Sequence, residues 1–214
     1  MLTHLRRALN LTGVVTPSVY VGLTVAVHLL NPGDSWMRYT LSDLALRQYG
    51  WIETLSLCIL AVCVIAVACS LYGNATHRRE NVAALAMFGV VSFALLLIAG
   101  FKASETDVVT PVVLVHRASV GVLTICFPAA CLLMVPALRA DPRWRSLAWY
   151  CALTGAIGIV LDISGASIPR DVQQSVAGLW EKVYVANGVI WCQVFAARLL
   201  LTSRRRVFAD QKPN

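Results

Sequence analysis

The sequence has little charge for its length. Only 14% of its 214 residues are Asp, Glu, Lys or Arg, while 58% are hydrophobic. In soluble domains about a quarter of the residues are charged and roughly half are apolar. The mean hydropathy of +0.69 is too high for a soluble globule with a large core. The composition therefore predicts an integral membrane protein whose first partner is the lipid bilayer.

The sequence also lacks the short motifs that mark common enzyme and metal sites. It contains no nucleophile elbow, phosphate-binding loop, H-E-x-x-H pair or dinucleotide fingerprint. Its seven cysteines form no C-x-x-C pair and fall inside apolar stretches. This pattern is typical of small buried hydrophobic residues and argues against disulfides or a zinc ribbon. We therefore expect no metal and no cofactor.

Six apolar stretches dominate what is present. Each is about 20 residues long, which is enough to cross a hydrocarbon layer of roughly 30 Å. The stretches do not alternate in polarity as barrel strands do, so we expect helices. The predicted spans are 11–30, 51–72, 82–101, 110–135, 146–165 and 181–201. Residues 1–214 are thus predicted to form a single all-α transmembrane domain, a six-helix bundle with a flexible tail at 202–214.

Basic residues are concentrated on one side of the predicted bundle. The N-terminus, residues 73–81, residues 136–145 and the C-terminal tail carry most of the Lys and Arg. Such a bias in short loops sets the orientation of a membrane protein. Both termini are therefore predicted to be cytoplasmic, in a multi-pass protein of the cell membrane. The net charge of +7 is then an orientation signal, and we expect no nucleic-acid partner.

The connection 31–50 is longer than the others. Its first part, NPGDSW, has the residues of a turn. The following TLSDLALRQYG places helix-forming residues between a capping Thr or Ser and a terminal Gly. We expect a short interfacial helix there, lying against the outer surface.

Most of the acidic residues fall on the other, outer side of the bundle. These are Asp34, Asp43, Glu53, Glu105, Asp107, Asp162, Asp171 and Glu181. The helix rise from residue 146 to Asp162 is about 24 Å, which places Asp162 near the outer edge of the hydrocarbon. Glu53 lies within one turn of the start of span two. Because a charge that faces lipid costs about 3 kcal/mol or more, we expect both side chains to turn inward and line a chamber that opens outward.

A purely structural role for these acids is the alternative. Carboxylates near helix N-termini are stabilised by the helix dipole, which fits Glu53 and Glu181. Interfacial acids also pair with nearby Arg and Lys side chains. Asp162 does not fit this explanation, because it lies at the C-terminal end of its helix, where the dipole disfavours a negative charge.

Polar and aromatic side chains are spaced along the inner faces of two spans. His116 and Ser119 share one face of span four, and a stripe of larger residues runs down span six. The candidate substrate-binding residues are Trp36, Tyr39, Trp51, Phe101, Ser119, Phe127, Trp180, Tyr184, Asn187 and Trp191. Packing between helices and anchoring at the membrane interface are the alternatives. An aromatic-walled pocket would hold a hydrophobic ligand or stabilise a cation over ring faces.

Several short segments resemble one known family. They are SDLALRQYGWIE, GFKASETD, VHRAS, DPRWRSLAWY and GLWEKVYVANGVIW, in that order. From about residue 10 to 203 the chain resembles the family catalogued as domain of unknown function 998, which comprises six-helix membrane proteins of bacteria and archaea. The resemblance implies fold and topology and carries no agreed activity. Asp162 stands where an apolar residue is expected in that family.

These residues suggest an enzyme of acid-initiated chemistry. Glu53 and Asp162 would be the acid pair, with Asp43, Asp107 and His116 in support. A buried acid can protonate an alkene or epoxide, and a water-poor site lined with aromatic rings then stabilises carbocations. The layout is similar to that of small membrane-bound terpene cyclases, so the expected substrate is a hydrophobic small molecule of the isoprenoid type.

A non-catalytic function is the alternative hypothesis. The same chamber could bind, transport or sense a lipid or a small cation. The sequence shows no pair of broken helices in corresponding halves, which argues against a secondary transporter. The identity of the substrate and the oligomeric state stay open at this point.

Overall fold

The protein is described by a computed structural model that covers the backbone of residues 2–72, 79–103 and 108–210. Side chains are described within 11–202, apart from 73–80, 104–107, 166, 170, 171, 173 and 174. Within these ranges the regular structure is helical. The helices are α1 (Leu2–Leu30), α2 (Leu41–Ala45), α3 (Gly50–Tyr72), α4 (Arg79–Gly100), α5 (Pro111–Ala140), α6 (Arg145–Ser167) and α7 (Arg170–Asp210).

Six of these helices are long and apolar enough to cross a membrane. Their candidate spans are Leu11–Leu30, Gly50–Tyr72, Asn81–Gly100, Pro111–Ala140, Arg145–Gly165 and Ser175–Thr202. The prediction of six apolar helices is therefore confirmed, and the protein is a multi-pass membrane protein in contact with the bilayer.

The last helix is much longer than predicted. It begins at Arg170 and continues to Asp210, so it extends into the segment that was predicted to be a tail from residue 202. The segment 203–210 contains neither Pro nor Gly, so no residue in it stops the helix that enters it.

The spans pack in chain order and close into a ring. α1 packs on α3, α3 on α4, α4 on α5, α5 on α6 and α6 on α7, and α7 returns to α1 and α3. Because successive spans run in opposite directions, the two chain ends lie at one end of the bundle, which we call the termini end. The connections that follow α1, α4 and α6 lie at the opposite end, which we call the cap end.

Aromatic packing holds the middle of the bundle. Trp191 of α7 is fully buried and stacks on Phe88 of α4, with 4.7 Å between ring centroids. The edge of the Phe127 ring from α5 meets the same indole at 6.0 Å. The indole N–H donates to Cys151 Sγ of α6 at 3.4 Å. One side chain thus joins four helices.

Small residues let α6 approach α5 closely. A Cβ atom added at Gly158 would lie 2.7 Å from Pro128 Cγ, and one at Gly155 would lie 3.0 Å from the Pro128 carbonyl oxygen. Membrane helices pack through such small residues because these let the backbones come close together.

Residues 31–49, which we call the cap, cover the end of the bundle between α1 and α3. Thr40 begins α2: its side chain accepts a hydrogen bond from the Asp43 N–H, and the Asp43 carboxylate accepts one from the Thr40 N–H, each at 3.0 Å. This reciprocal capping box confirms the predicted short helix and its Thr start.

The predicted position of that helix is wrong. It was expected against the outer surface, but Leu41 and Leu44 are buried and pack with Val27 of α1 and Ile52 of α3. Because these apolar side chains find partners between the spans, α2 is drawn into the bundle. The helix also ends early, at Ala45.

Lys182 fastens the cap to α7. Its ammonium donates to the carbonyl oxygens of Trp36 at 3.1 Å, Tyr39 at 2.6 Å and Gly178 at 3.2 Å. An ammonium has three donors, so these bonds use all of them. Two of the three acceptors belong to the cap, which is therefore held directly over the start of the membrane-spanning part of α7.

Main-chain groups complete the attachment. The Leu179 N–H donates to the Met37 carbonyl at 2.9 Å, and the Leu41 N–H donates to Glu181 Oε2 at 2.7 Å. This close approach depends on Gly178, because a Cβ atom there would lie 2.2 Å from the Tyr39 carbonyl oxygen.

A compact ion pair orders the connection between α5 and α6 at the termini end. The buried Asp141 carboxylate accepts from the Arg143 guanidinium at 2.6 Å and 3.0 Å. This hydrogen bonding raises the pKa of Arg143, so the pair stays charged. Arg198 of α7 donates to the Arg143 carbonyl at 2.9 Å and ties this connection to the last helix.

We predict that Gly178→Ala releases the cap from α7. The added methyl group collides with the Tyr39 carbonyl, which is main chain and cannot rotate away, so we expect a loss of about 1–3 kcal/mol. The measurement is thermal unfolding in detergent, together with alkylation of a cysteine placed at the exposed Met37. Gly22→Ala is the matched control, because a Cβ atom at Gly22 meets nothing within 4 Å. Equal behaviour of the two variants would contradict the close contact.

Candidate functional site

Glu53 is the most enclosed acid among the side chains that the structure describes. It lies on the first turn of α3 and is 0% exposed. Its Oε2 accepts a hydrogen bond from Thr24 Oγ1 of α1 at 3.1 Å, while Oε1 has no hydrogen-bond partner. The start of α3 is a favourable place for a carboxylate because of the helix dipole. One carboxyl oxygen is nevertheless left available for a further partner.

The face of α1 that is turned toward Glu53 is polar. Tyr20, Thr24 and His28 follow one another at intervals of four residues and are all buried, so they share one face of the helix. Thr24 contacts Glu53 directly, and Tyr20 lies within electrostatic range of the same carboxyl group. The site is thus built across the α1–α3 interface.

His28 is the member of this polar face that lies nearest to the cap end. It is 2% exposed, and neither ring nitrogen has a hydrogen-bond partner. The Trp36 indole from the cap stacks on the imidazole with 3.7 Å between ring centroids. Since Trp36 is itself 46% exposed, a single ring separates the imidazole from the surroundings.

Lys182 places a positive charge near Glu53 and His28. It lies within electrostatic range of Glu53, Glu181 and Asp43, and Glu53 and His28 both experience its charge. Because its three donors are bound to carbonyl oxygens, it acts on Glu53 as a fixed positive charge and not as a hydrogen-bond donor.

His116 forms a second buried polar contact at the cap end. Its Nδ1 lies 2.8 Å from the Phe101 carbonyl oxygen, and its Nε2 lies 3.0 Å from Ser42 Oγ. A carbonyl only accepts, so Nδ1 carries the proton; in the neutral ring Nε2 then accepts from the Ser42 hydroxyl. The imidazole is 4% exposed and is held with its basic nitrogen toward α2.

The other predicted acids are placed differently. Asp43 is half-buried and its carboxylate serves the capping box of α2. Asp162 is exposed on α6. Asp107 lies outside the described residues.

Glu53 turns inward as predicted, but Asp162 is exposed, so the two acids do not share the expected chamber. Glu53 is enclosed because α2 packs into the space above it, so no chamber opens onto its carboxyl group. Asp162 continues the face of α6 that packs on α5 at Gly158, but a Cβ atom at Gly121, farther along α5 toward the cap end, would meet nothing within 4 Å. The Asp162 side chain is exposed there and lies within electrostatic range of Tyr184.

The candidate substrate-binding residues do not line one surface. Phe127 and Trp191 pack in the core, and Trp180 lies against Gly165. Trp51 is 61% exposed and Phe101 is 38% exposed. Trp36 of the cap stacks on His28 of the polar face of α1.

Tyr39 is the second cap aromatic of that set. The Arg47 guanidinium lies 4.5 Å from the centre of its ring, and Arg47 also pairs with Asp34 at 3.0 Å. These contacts stiffen the cap around the carbonyl groups that bind Lys182.

Polar members of the set bind other helices. Tyr184 donates to the Thr124 carbonyl and Asn187 to the Thr154 carbonyl, each at 3.0 Å. Ser119 donates within its own helix, to the Val115 carbonyl at 2.7 Å. The bonds of Tyr184 and Asn187 join α7 to α5 and α6, as polar side chains in membrane helices commonly do. Binding of substrate by these residues stays a prediction.

Two further features bear on what the site can hold. Within the part of the chain that is described, no three His, Cys, Asp or Glu side chains lie together in a way that could hold a metal ion. A small pocket between α3, α4 and α5 lies at the termini end, far along the bundle from Glu53. Its lining residues are Ala68, Leu71, Tyr72, Asn81, Leu85, Met134 and Leu138.

The sequence reasoning missed four side chains of the cap end. Thr24 contacts Glu53, Lys182 acts on it through its charge, Ser42 contacts His116, and His28 belongs to the buried polar face of α1. The available signal was the spacing of Tyr20, Thr24 and His28, which puts a polar stripe on an otherwise apolar span.

We predict that Thr24→Val destabilises the protein by about 1–3 kcal/mol. The substitution keeps the shape of the side chain but leaves the Glu53 carboxyl group buried without this donor. The midpoint of thermal unfolding in detergent is the measurement. In a Glu53→Leu background the same substitution should cost little, because the partner is gone. An equal cost in both backgrounds would show that the hydrogen bond contributes nothing.

Comparisons with known proteins give one result on family membership. Searches among curated proteins and among solved structures found no match. The family model described as "Protein of unknown function (DUF998)" matches residues 14–198, which includes the whole cap, the four middle membrane spans and most of the first and last spans. The match agrees with the resemblance of the short segments noted in the sequence and with the six apolar helices. The chain belongs to the DUF998 family.

Proposed function

We propose that the protein is a membrane-embedded enzyme that acts on a hydrophobic substrate of the isoprenoid type by acid-initiated chemistry, with Glu53 as the proton donor. The observation that carries the proposal is the carboxyl group of Glu53, which is fully buried, has one oxygen bound to Thr24 and keeps the other without a partner.

The surroundings of Glu53 suit proton transfer to an apolar molecule. A general acid must come within hydrogen-bonding reach of the atom that it protonates, and Oε1 is the oxygen that no protein donor occupies. Exclusion of water also protects a carbocation from being quenched. The apolar side chains of α2, α1 and α3 that pack beside Glu53 supply this dry environment.

The reaction that fits these groups begins and ends with a proton. Transfer from Glu53 to an alkene carbon or an epoxide oxygen leaves a carbocation, and a second double bond of the substrate attacks it to close a ring. Loss of a proton from the final cation gives the neutral product. His116 is the candidate acceptor, with the Ser42 hydroxyl giving its proton to Nε2 as it takes one from the cation.

Substrate access in this proposal requires displacement of the cap. Glu53 is 0% exposed, so an isoprenoid chain reaches it only when residues 36–44 move away from α7. The carbonyl bonds of Lys182 and the stacking of Trp36 on His28 are the contacts to be broken. Aromatic rings of the cap, Trp36 and Tyr39, are then near the entering cation and can stabilise it.

Glu53→Gln should lower turnover by a factor of about 10²–10⁴, the range for loss of a general acid. Purified protein in lipid vesicles is given farnesylated or geranylgeranylated acceptors and their epoxides, and products are followed by mass spectrometry. Asp162→Asn is the matched control, because that carboxylate is exposed on α6, and it should leave turnover unchanged. Full activity of Glu53→Gln would refute the assignment of the acid.

A binding or transport function for a lipid or small cation is the second candidate. The complete enclosure of Glu53 beneath the cap favours it, since a closed site is also what a carrier or sensor presents in one of its states. Flux of an amine or cation into vesicles with no chemical change, lost in Glu53→Gln, would support this class over the enzyme.

The proposed orientation places both termini in the cytoplasm and the cap end outside the cell membrane. The bias of Lys and Arg toward the termini end supports it. Alkaline phosphatase, which is active only outside the cytoplasm, should be inactive when fused after residue 214 and active when inserted at the exposed Gly33 of the cap. The opposite pattern would reverse the orientation and place Glu53 near the cytoplasmic side.

A further inference from the structure

Two buried side chains at the cap end carry polar atoms that no protein group satisfies. Glu53 Oε1 and both ring nitrogens of His28 have no hydrogen-bond partner, although the residues are 0% and 2% exposed. Buried polar atoms are nearly always paired, so such exceptions call for an explanation. The stacking on Trp36, with 3.7 Å between ring centroids, involves the faces of the rings and does not satisfy the ring nitrogens of His28.

Thr24 bonds to one of these two side chains and shares a helix face with the other. The Thr24 hydroxyl donates to Glu53 Oε2 at 3.1 Å, and His28 follows Thr24 by one helical turn on the same face of α1. On its other side the imidazole stacks on Trp36, which is 46% exposed. The order from the surface inward is therefore Trp36, His28, Thr24 and Glu53.

The charged groups around this series are occupied elsewhere. His28 experiences the charges of Lys182 and Asp34. The Lys182 ammonium is bound to three carbonyl oxygens, and Asp34 is paired with Arg47 at 3.0 Å. Neither is positioned to pass a proton to Glu53, which leaves the imidazole as the exchangeable group between the surface and Thr24.

We propose that His28 is a proton relay that supplies Glu53 from the cap surface. The inference rests on the proposed role of Glu53 as a proton donor and adds how that donor is recharged. His28 would act through Thr24 and would not touch the substrate, so it is a positioning and relay residue.

The relay moves one proton to Glu53 and leaves His28 and Thr24 neutral. A hydronium ion at the surface gives a proton to one ring nitrogen of His28 and is left as water. The proton on the other nitrogen passes to Thr24 Oγ1, and the proton that Thr24 already holds passes to Glu53 Oε2. His28 ends neutral, Thr24 ends as a hydroxyl, and Glu53 ends protonated. Rotation of the imidazole about its Cβ–Cγ bond, or one bridging water, closes the gap to Thr24.

Infrared spectroscopy of the protein in lipid vesicles tests the relay without a substrate. The carbonyl stretch of a protonated carboxylic acid shifts when its proton is exchanged for deuterium, and loss of the band in Glu53→Gln identifies the contribution of Glu53. After a rapid change from H₂O to D₂O, His28→Phe should slow the shift of this band roughly tenfold or more, on the scale expected for loss of a proton-transfer group. Phe keeps the stacking on Trp36 but has no ring nitrogen.

Trp36→Ala is the matched control. It removes the cover of His28 and should leave exchange as fast as in the wild type or faster. Unchanged exchange in His28→Phe would overturn the relay while leaving Glu53 as the acid. Equal slowing in Trp36→Ala would also overturn it, because a general disturbance of the cap would then explain both results. If no protonated band of Glu53 is found, both the relay and the acid role fail.

Discussion

The ammonium of Lys182 is the interaction on which the cap end depends. A charged group near the hydrocarbon must find partners in the protein, and this one finds three main-chain carbonyl oxygens, two of them in the cap. The same bonds hold residues 36–39 against α7 and so keep Glu53 away from water. Enclosure of the acid and attachment of the cap therefore depend on the same set of contacts.

Much of the fold follows from the sequence because the bilayer restricts it. Apolar length sets the number of spans, and the six found match those expected within a few residues at most ends. The α2 helix was recognisable from Thr40 and the residues after it. Its depth was not, because burial of Leu41 and Leu44 depends on a gap between α1 and α3 that no local pattern records. The length of α7 was underestimated because the prediction followed the apolar residues of the span, whereas the helix continues into polar residues at both ends.

The candidate site could be predicted from the sequence to a smaller extent than the fold. Glu53 and Asp162 look alike in the sequence, each a single acid near the outer end of an apolar span, yet one is enclosed and the other exposed. The difference lies in the rotation of each helix and in which neighbour covers its face. Similarly, the role of Thr24 as a hydrogen-bond donor to Glu53 can be recognised only once α1 is packed on α3. Helical spacing could have indicated the polar stripe on α1, but it could not name the partner.

The length of α7 has a mechanical consequence. At 41 residues it is about 60 Å long, roughly twice the thickness of the hydrocarbon layer, so it projects from the bilayer as a stiff rod. Gly178 and Lys182, near its first turns, hold the cap. A lateral pull on the projecting end would tilt the whole rod and shift those two residues. A load applied on one side of the membrane would thereby be transmitted to the opposite side without any intervening hinge.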